Sequence, residues 1–191
     1  MKRSTALSLP NLLTYGRCLA VPAVVGLLFW PNESWARWWA LGIFVAAAIT
    51  DYFDGYLARA WNQQSALGRM LDPIADKLLV AAVLMMLVAH ETIAGWNIWA
   101  AIVILLREIL VSGLREFLAE LKVSVPVSKV AKYKTTVQLV ALGFLVAGPA
   151  GDAVFPWTTL TGLVLLWAAA LLTLWTGWDY MRAGMRYLVE D

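Results

Sequence analysis

The sequence predicts an all-α integral membrane protein with six transmembrane helices and both termini in the cytoplasm. Of its 191 residues 61% are hydrophobic and 15% charged, against about 25% charged in an ordinary soluble domain. Mean hydropathy is +0.70, and at about 20 apolar residues per crossing the apolar runs consume most of the chain. The loops left over are too short to fold separately, so a single membrane-embedded domain is expected over residues 1–191.

With charged residues and Gly, Pro and Asn clusters taken as boundaries, the runs fall at 10–30, 35–59, 70–90, 96–121, 128–148 and 155–181. The first begins at Pro10, a residue suited to a first helical turn, and Pro22 predicts a bend within it. Lys2 and Arg3 before an apolar stretch imitate a signal peptide, but Asn11 and Arg17 interrupt the stretch and no small-residue cleavage site follows, so a retained helix is expected. The residues before Pro10 suggest a short surface helix. In the third run, Pro73 is compatible with a helix only if it lies in the first turn.

The basic residues set the orientation. Lys2, Arg3, Arg59, Arg69, Lys122, Lys129, Lys132, Lys134, Arg182 and Arg186 all fall on one side of this topology, and Arg37 alone on the other. Cytoplasmic loops carry the excess of Lys and Arg, which puts the termini and the 2–3 and 4–5 connections in the cytoplasm. Trp30, Trp35, Trp38, Trp39, Trp96, Trp99 and Trp157 gather at the opposite ends, as an interfacial belt does. Cys18 is the one cysteine, which excludes an intrachain disulfide and a thiolate metal site. A net charge of +2 gives no reason to expect a nucleic-acid partner.

The chemistry is concentrated between residues 51 and 76. At about 100° per residue, Asp51, Asp54, Gly55 and Ala58 share roughly one quadrant of the second helix, a carboxylate pair beside a notch. Asp72 and Asp76, four apart, align on the third helix with Gly68 turned the same way. Four carboxylates at one membrane level repel one another unless cations neutralise them. Two divalent ions would do so, and hard oxygen donors without histidine or thiolate suit Mg²⁺ or Mn²⁺, which can clamp the attacking and leaving oxygens of a phosphoryl displacement. The competing explanation is that these acids cap helices or pair with Arg59, Arg69 and Lys77.

These residues spell D-x2-D-G-x2-A-R-x8-G-x3-D-x3-D from Asp51 to Asp76 without a departure, and the chain thereby resembles the CDP-alcohol phosphotransferases. The resemblance implies the six-helix fold of that family, a homodimer and a two-metal site opening to the cytoplasm. In it Asp51, Asp54, Asp72 and Asp76 hold the ions and Asp76 is also the general base. It further implies that Gly55 and Ala58 make room for the cytidine and that Arg59 and Ser65 contact the CDP-lipid. Asn11 and Thr14, in the stretch P-N-L-L-T-Y-G-R, are similar to the family's first-helix contact to that donor.

The acceptor has to be read from later helices. Glu108, Ser112 and Arg115 lie within about 60° on one helix face, flanked by Arg107 and Glu116. Lys129, Lys132 and Lys134 follow, then Thr135 and Gln138. A pocket bounded by Arg107, Arg115, Lys132 and Lys134 would suit an anionic acceptor, because guanidinium and ammonium groups bind phosphate. Pairing of the arginines with Glu108 and Glu116 for helix packing is the alternative, and the lysines also serve as ordinary cytoplasmic loop charges. The R-E, L-R-E and A-K-Y-K-T-T stretches resemble the phosphatidylglycerophosphate-forming branch of the family, which implies sn-glycerol 3-phosphate as acceptor. His90 is expected at the outer interface, Met85 and Met86 in packing, and the glycines at 143, 148, 162 and 177 at close helix contacts.

The expected reaction moves the phosphatidyl group of CDP-diacylglycerol, entering sideways from the cytoplasmic leaflet of a bacterial inner membrane, to glycerol 3-phosphate, with release of CMP. Membrane lipids are then standing partners. Within the same fold, inositol phosphate, serine or a second phosphatidylglycerol are alternative acceptors. Membrane prenyltransferases carry two separate aspartate-rich motifs where this chain has one. A divalent-cation transporter would need acids leading to the far side, whereas all four lie near one face.

Overall fold

The computed structural model describes the backbone of residues 9–30, 32–61, 66–121 and 129–189, and, within these, most side chains outside 9–11, 52–61, 66–69, 72–73, 129, 131–132 and 186–189. The described chain is all helical: α1 (Leu9–Leu28), α2 (Ser34–Trp61), α3 (Ala66–Ala89), α4 (Asn97–Glu120), α5 (Lys129–Asp152) and α6 (Thr158–Val189). Asn97–Glu120 and Thr158–Met185, each at mean hydropathy 1.8, are long and apolar enough to cross a membrane. Leu12–Leu28 is a shorter apolar helix. Charged residues also lie within other helices, Arg37, Asp51 and Asp54 in α2 and Lys132 and Lys134 in α5, in keeping with the expectation that several of the six runs are too polar at one end to be plain anchors.

Contacts divide the chain into two compact units. The first comprises Met1–Thr92 with Val146–Thr159, the second Ile93–Leu145 with Leu160–Asp191. In the first, α1 packs against both α2 and α3. Its buried faces recur every three or four residues: Ala20, Val24 and Leu28 on α1, Ala36, Ala40, Phe44 and Ala47 on α2, and Ala75, Leu79 and Val83 on α3. Alanine dominates the α2 stripe for a physical reason. Lipid tails are as apolar as leucine, so helices in a bilayer associate through close packing, and small side chains let the backbones approach.

The second unit follows the same rule. Ala100, Ile104, Val111 and Leu118 form the buried face of α4. On α6, a Cβ added to Gly184 would stand 3.1 Å from Leu114 and 3.2 Å from Leu118, and one added to Gly162 would stand 2.7 Å from Leu145. Trp167 Nε1 donates to Asn97 Oδ1 at 2.9 Å.

Helix α5 is broken at Gly148, whose φ of 45° and ψ of −128° are not helical. Pro149 follows and cannot donate a backbone hydrogen bond. The break exposes carbonyls that need partners, and Arg37 Nη1 donates to Val146 O at 3.3 Å. The approach is so close that a Cβ on Gly148 would lie 2.5 Å from Arg37 Nη1. Beyond the break, Asp152 accepts from Thr159 N at 2.9 Å and from Thr159 Oγ1 at 2.5 Å, tying down the first turn of α6.

Two expected boundaries move. Helix α3 begins at Ala66 rather than residue 70, so Pro73 is inside the helix and not in its first turn. The carbonyl of Arg69 thereby loses its intrahelical donor, a cost that helices near membranes meet with other partners. Helix α6 continues to Val189, beyond the expected end at 181, since no proline or Gly-Pro pair follows Asp179 within it. Helix α1 runs through Pro22 without interruption. The surface helix expected before Pro10 falls in residues 1–8, outside the described residues. Trp30, Trp35, Trp38, Trp39, Trp96, Trp99 and Trp157 are all exposed, as a lipid-facing belt requires.

Candidate active site

Helix α2 carries Asp51, Asp54, Gly55, Ala58 and Arg59, and α3 carries Asp72 and Asp76. Both helices pass α1, on which Asn11 and Thr14 lie. The side chains of Asn11, Asp54, Ala58, Arg59 and Asp72 and the environment of Gly55 are outside the described residues, and Ser65 lies outside them altogether. Among the described side chains, Thr14 is buried and Asp51 and Asp76 are half-buried.

Arg17 was legible in the sequence only as an interruption of the first apolar run. In the structure it is 2% exposed, and its Nη1 lies 2.5 Å from Asp51 Oδ1. A buried guanidinium on α1 therefore holds one member of the aspartate set in place. Thr14 and Arg17 are three apart, so one face of α1 presents both a hydroxyl and a cation.

The four aspartates supply only hard oxygen donors, and the pair described, Asp51 and Asp76, is partly open to solvent. That donor chemistry fits a Mg²⁺- or Mn²⁺-type dication and disfavours a soft metal. Among the described residues no three His, Cys, Asp or Glu side chains gather as a metal site, and two of the four aspartates, Asp54 and Asp72, are outside that description.

The expected acceptor residues lie in the second unit. Glu108 Oε1 accepts from Lys134 Nζ and lies 3.4 Å from Arg107 Nη1. Arg107 Nη2 donates to Thr176 Oγ1 at 3.1 Å, and the Thr176 hydroxyl donates to Leu172 O at 2.9 Å. Two cations thus share one carboxylate and leave a net charge of +1 on the trio. Lys134 is 3% exposed, so this charge is held away from bulk water, where it acts more strongly on an anion. Gly177 gives Arg107 its space, since a Cβ there would stand 3.0 Å from Arg107 Cγ. Buried Gln138 Oε1 and Thr173 Oγ1 have no hydrogen-bond partner.

Arg115 is placed differently. Its side chain is exposed, with Cζ 5.9 Å from the centroid of the Tyr180 ring, a cation–π contact. The side chain of Lys132 is outside the described residues. Thr176 was missed in the sequence, although two threonines three apart, Thr173 and Thr176, beside Gly177 in an otherwise apolar run, are a readable signal of a polar stripe.

Fold and site together define a class: an all-helical membrane protein that sets carboxylates on α2 and α3 and a buried cationic cluster on α4 and α5. The family described as CDP-alcohol phosphatidyltransferase matches residues 7–175, spanning both units. A relative from Cereibacter sphaeroides, named CDP-diacylglycerol--glycerol-3-phosphate 3-phosphatidyltransferase, is 40% identical, with 96% of this chain and 98% of the relative covered. Proteins of the same name from Rickettsia typhi and Escherichia coli K12 are 47% and 42% identical, the first covering 94% of this chain and 98% of the relative, the second 96% and 98%. The chain belongs to the CDP-alcohol phosphatidyltransferase family, and it is an enzyme of that class.

Proposed function

We propose that the protein transfers the phosphatidyl group of CDP-diacylglycerol to sn-glycerol 3-phosphate, giving phosphatidylglycerophosphate and CMP in phospholipid synthesis. The observation that carries this reading is identity of 40–47% over at least 94% of the chain to proteins named for that reaction. The uninterrupted acidic signature from Asp51 to Asp76 supports the donor half. The Arg107–Glu108–Lys134 cluster supports an anionic acceptor.

Asp51, Asp54, Asp72 and Asp76 would hold two divalent ions, Mg²⁺ or Mn²⁺. When bound, such ions neutralise the diphosphate and stabilise charge that develops on its oxygens. Arg17 keeps Asp51 oriented. Thr14, with Asn11, Gly55, Ala58, Arg59 and Ser65, binds the CDP-lipid. Arg107, Lys134, Arg115 and Lys132 bind the acceptor phosphate and so fix the position of the reacting hydroxyl. Asp76 takes the proton of that hydroxyl. The oxygen then bonds to the phosphorus bearing diacylglycerol, the P–O bond to CMP breaks, and CMP leaves with the electron pair.

The site opens to the cytoplasm of a bacterial inner membrane in this reading, where both CDP-diacylglycerol and glycerol 3-phosphate are reached, and the enzyme works as a homodimer. Acceptor competition tests the substrate assignment. With CDP-diacylglycerol fixed, glycerol 3-phosphate should be consumed in preference to inositol phosphate or serine, and a preference for either of those would contradict it.

A further inference from the structure

Arg37 is the one basic residue on the outer side of the topology, and the proposed reaction makes no use of it. It is 3% exposed. Its Nη1 donates to Val146 O at 3.3 Å and its Nη2 to Thr92 Oγ1 at 3.1 Å, so two neutral acceptors fix the plane of the guanidinium. Gly148 is in the left-handed region at φ 45°, and the space its missing side chain leaves is taken by Arg37 Nη1. A helix is broken to let this cation sit where it does.

The guanidinium borders a cavity of about 260 Å³ lined by Asn32, Ser34, Arg37, His90, Pro149 and Ala150. All six belong to the first unit. The polar lining consists of an amide, a hydroxyl, an imidazole and a guanidinium, with no carboxylate among the lining residues. His90 Nε2 is buried with no hydrogen-bond partner, in the sole histidine of the chain. A buried polar atom without a partner costs free energy unless something supplies the missing bond.

The level of the cavity narrows the ligand. Arg37 precedes Asp51 on α2, and His90 follows Asp76 just past the end of α3, by the same sequence separation, a rise of roughly 21 Å at 1.5 Å per residue. That is most of the ~30 Å hydrocarbon thickness, so the cavity opens near the leaflet opposite the aspartates. Exposed Trp30, Trp35 and Trp38 flank it in sequence, at the depth where lipid phosphates lie. A donor-rich cavity of this size suits a headgroup and not a whole lipid.

We propose that this cavity is a second binding site, distinct from the aspartate site, that takes a phosphate group through Arg37, His90, Asn32 and Ser34. The phosphate is that of an anionic lipid headgroup in the outer leaflet or free phosphate, which present the same chemistry. Guanidinium supplies the charge and planar donors, and the imidazole, amide and hydroxyl complete the set.

The test uses the full chain in detergent, with binding of dihexanoylphosphatidylglycerol and of inorganic phosphate measured by calorimetry. The variants are Arg37→Gln, His90→Leu and Ser34→Leu. The last two fill or depolarise the cavity without touching the bonds Arg37 makes to Val146 and Thr92, so they decide the matter if Arg37→Gln does not fold. Binding of at least one probe should weaken about tenfold in His90→Leu and Ser34→Leu, the loss expected for a charge-assisted contact, while CMP release stays at the wild-type rate. Weakening for the lipid alone identifies the headgroup as the source, for phosphate alone the free anion, and for both the shared group. Affinities for both probes unchanged in both variants, or binding of neither probe to the wild type, would overturn the proposal.

Discussion

At the level of single residues, the proposed reaction divides the labour between carboxylates at the reacting centre and cations that hold the acceptor. Asp76→Asn keeps an oxygen in place but cannot accept the proton, so turnover should fall by about 10²–10⁴-fold while CDP-lipid binding, read by equilibrium titration, changes little. Comparable turnover would remove Asp76 from the base role. Lys134→Ala takes away one cation of the buried trio. It should lower kcat/KM for glycerol 3-phosphate by about 10–100-fold, mostly through KM, as loss of a charge-assisted contact of ~1.5–3 kcal/mol does. A kcat effect with unchanged KM would speak for a purely structural lysine. The shared face of Asp51 and Asp54 on one helix, and that of Asp72 and Asp76 on the next, were readable in sequence because a helix repeats its faces every three to four residues. Arg17 and Thr176 were not, since each meets its partner across helices, α1 to α2 and α4 to α6, and helix periodicity carries no information about which faces meet.

At the level of elements, the break in α5 and the cap on α6 are the positions where backbone chemistry is most constrained. Gly148→Ala places a Cβ at positive φ and against Arg37 Nη1. It should destabilise the protein by about 1–3 kcal/mol, measured as a lower thermal midpoint in detergent, and an unchanged midpoint would mean the segment can reform a regular helix. Bonds from the Thr159 hydroxyl and backbone hold the Asp152 carboxyl below its ordinary value of 3.8. A depressed folded-state pKa means that the cap contributes fully above that ordinary value and is lost as pH falls through the lowered one. The stability gap between wild type and Asp152→Ala should therefore be constant near neutral pH and close under strongly acidic conditions. The fifth segment was expected to end at residue 148, where Gly-Pro stops a helix, and the break is there. Pro73 was misjudged because a proline inside a helix is legible as a penalty, whereas the start of α3 at Ala66 puts it beyond the first turn.

At the level of the whole molecule, composition already implied a membrane protein, and among the described residues two helices are long and apolar enough to cross. The others mix apolar stretches with charged residues, Arg37, Asp51 and Asp54 in α2 and Lys132 and Lys134 in α5 among them. Family membership and the acidic signature point to the same class of reaction, and the family match runs through both compact units of the chain. The most direct test of that agreement is a single assay: purified protein with CDP-diacylglycerol and labelled glycerol 3-phosphate, following CMP release and label entering the lipid phase together. The two should rise in equal amounts with Mg²⁺ or Mn²⁺ present and stop on chelation. CMP released without label in lipid, or transfer indifferent to chelation, would contradict the account.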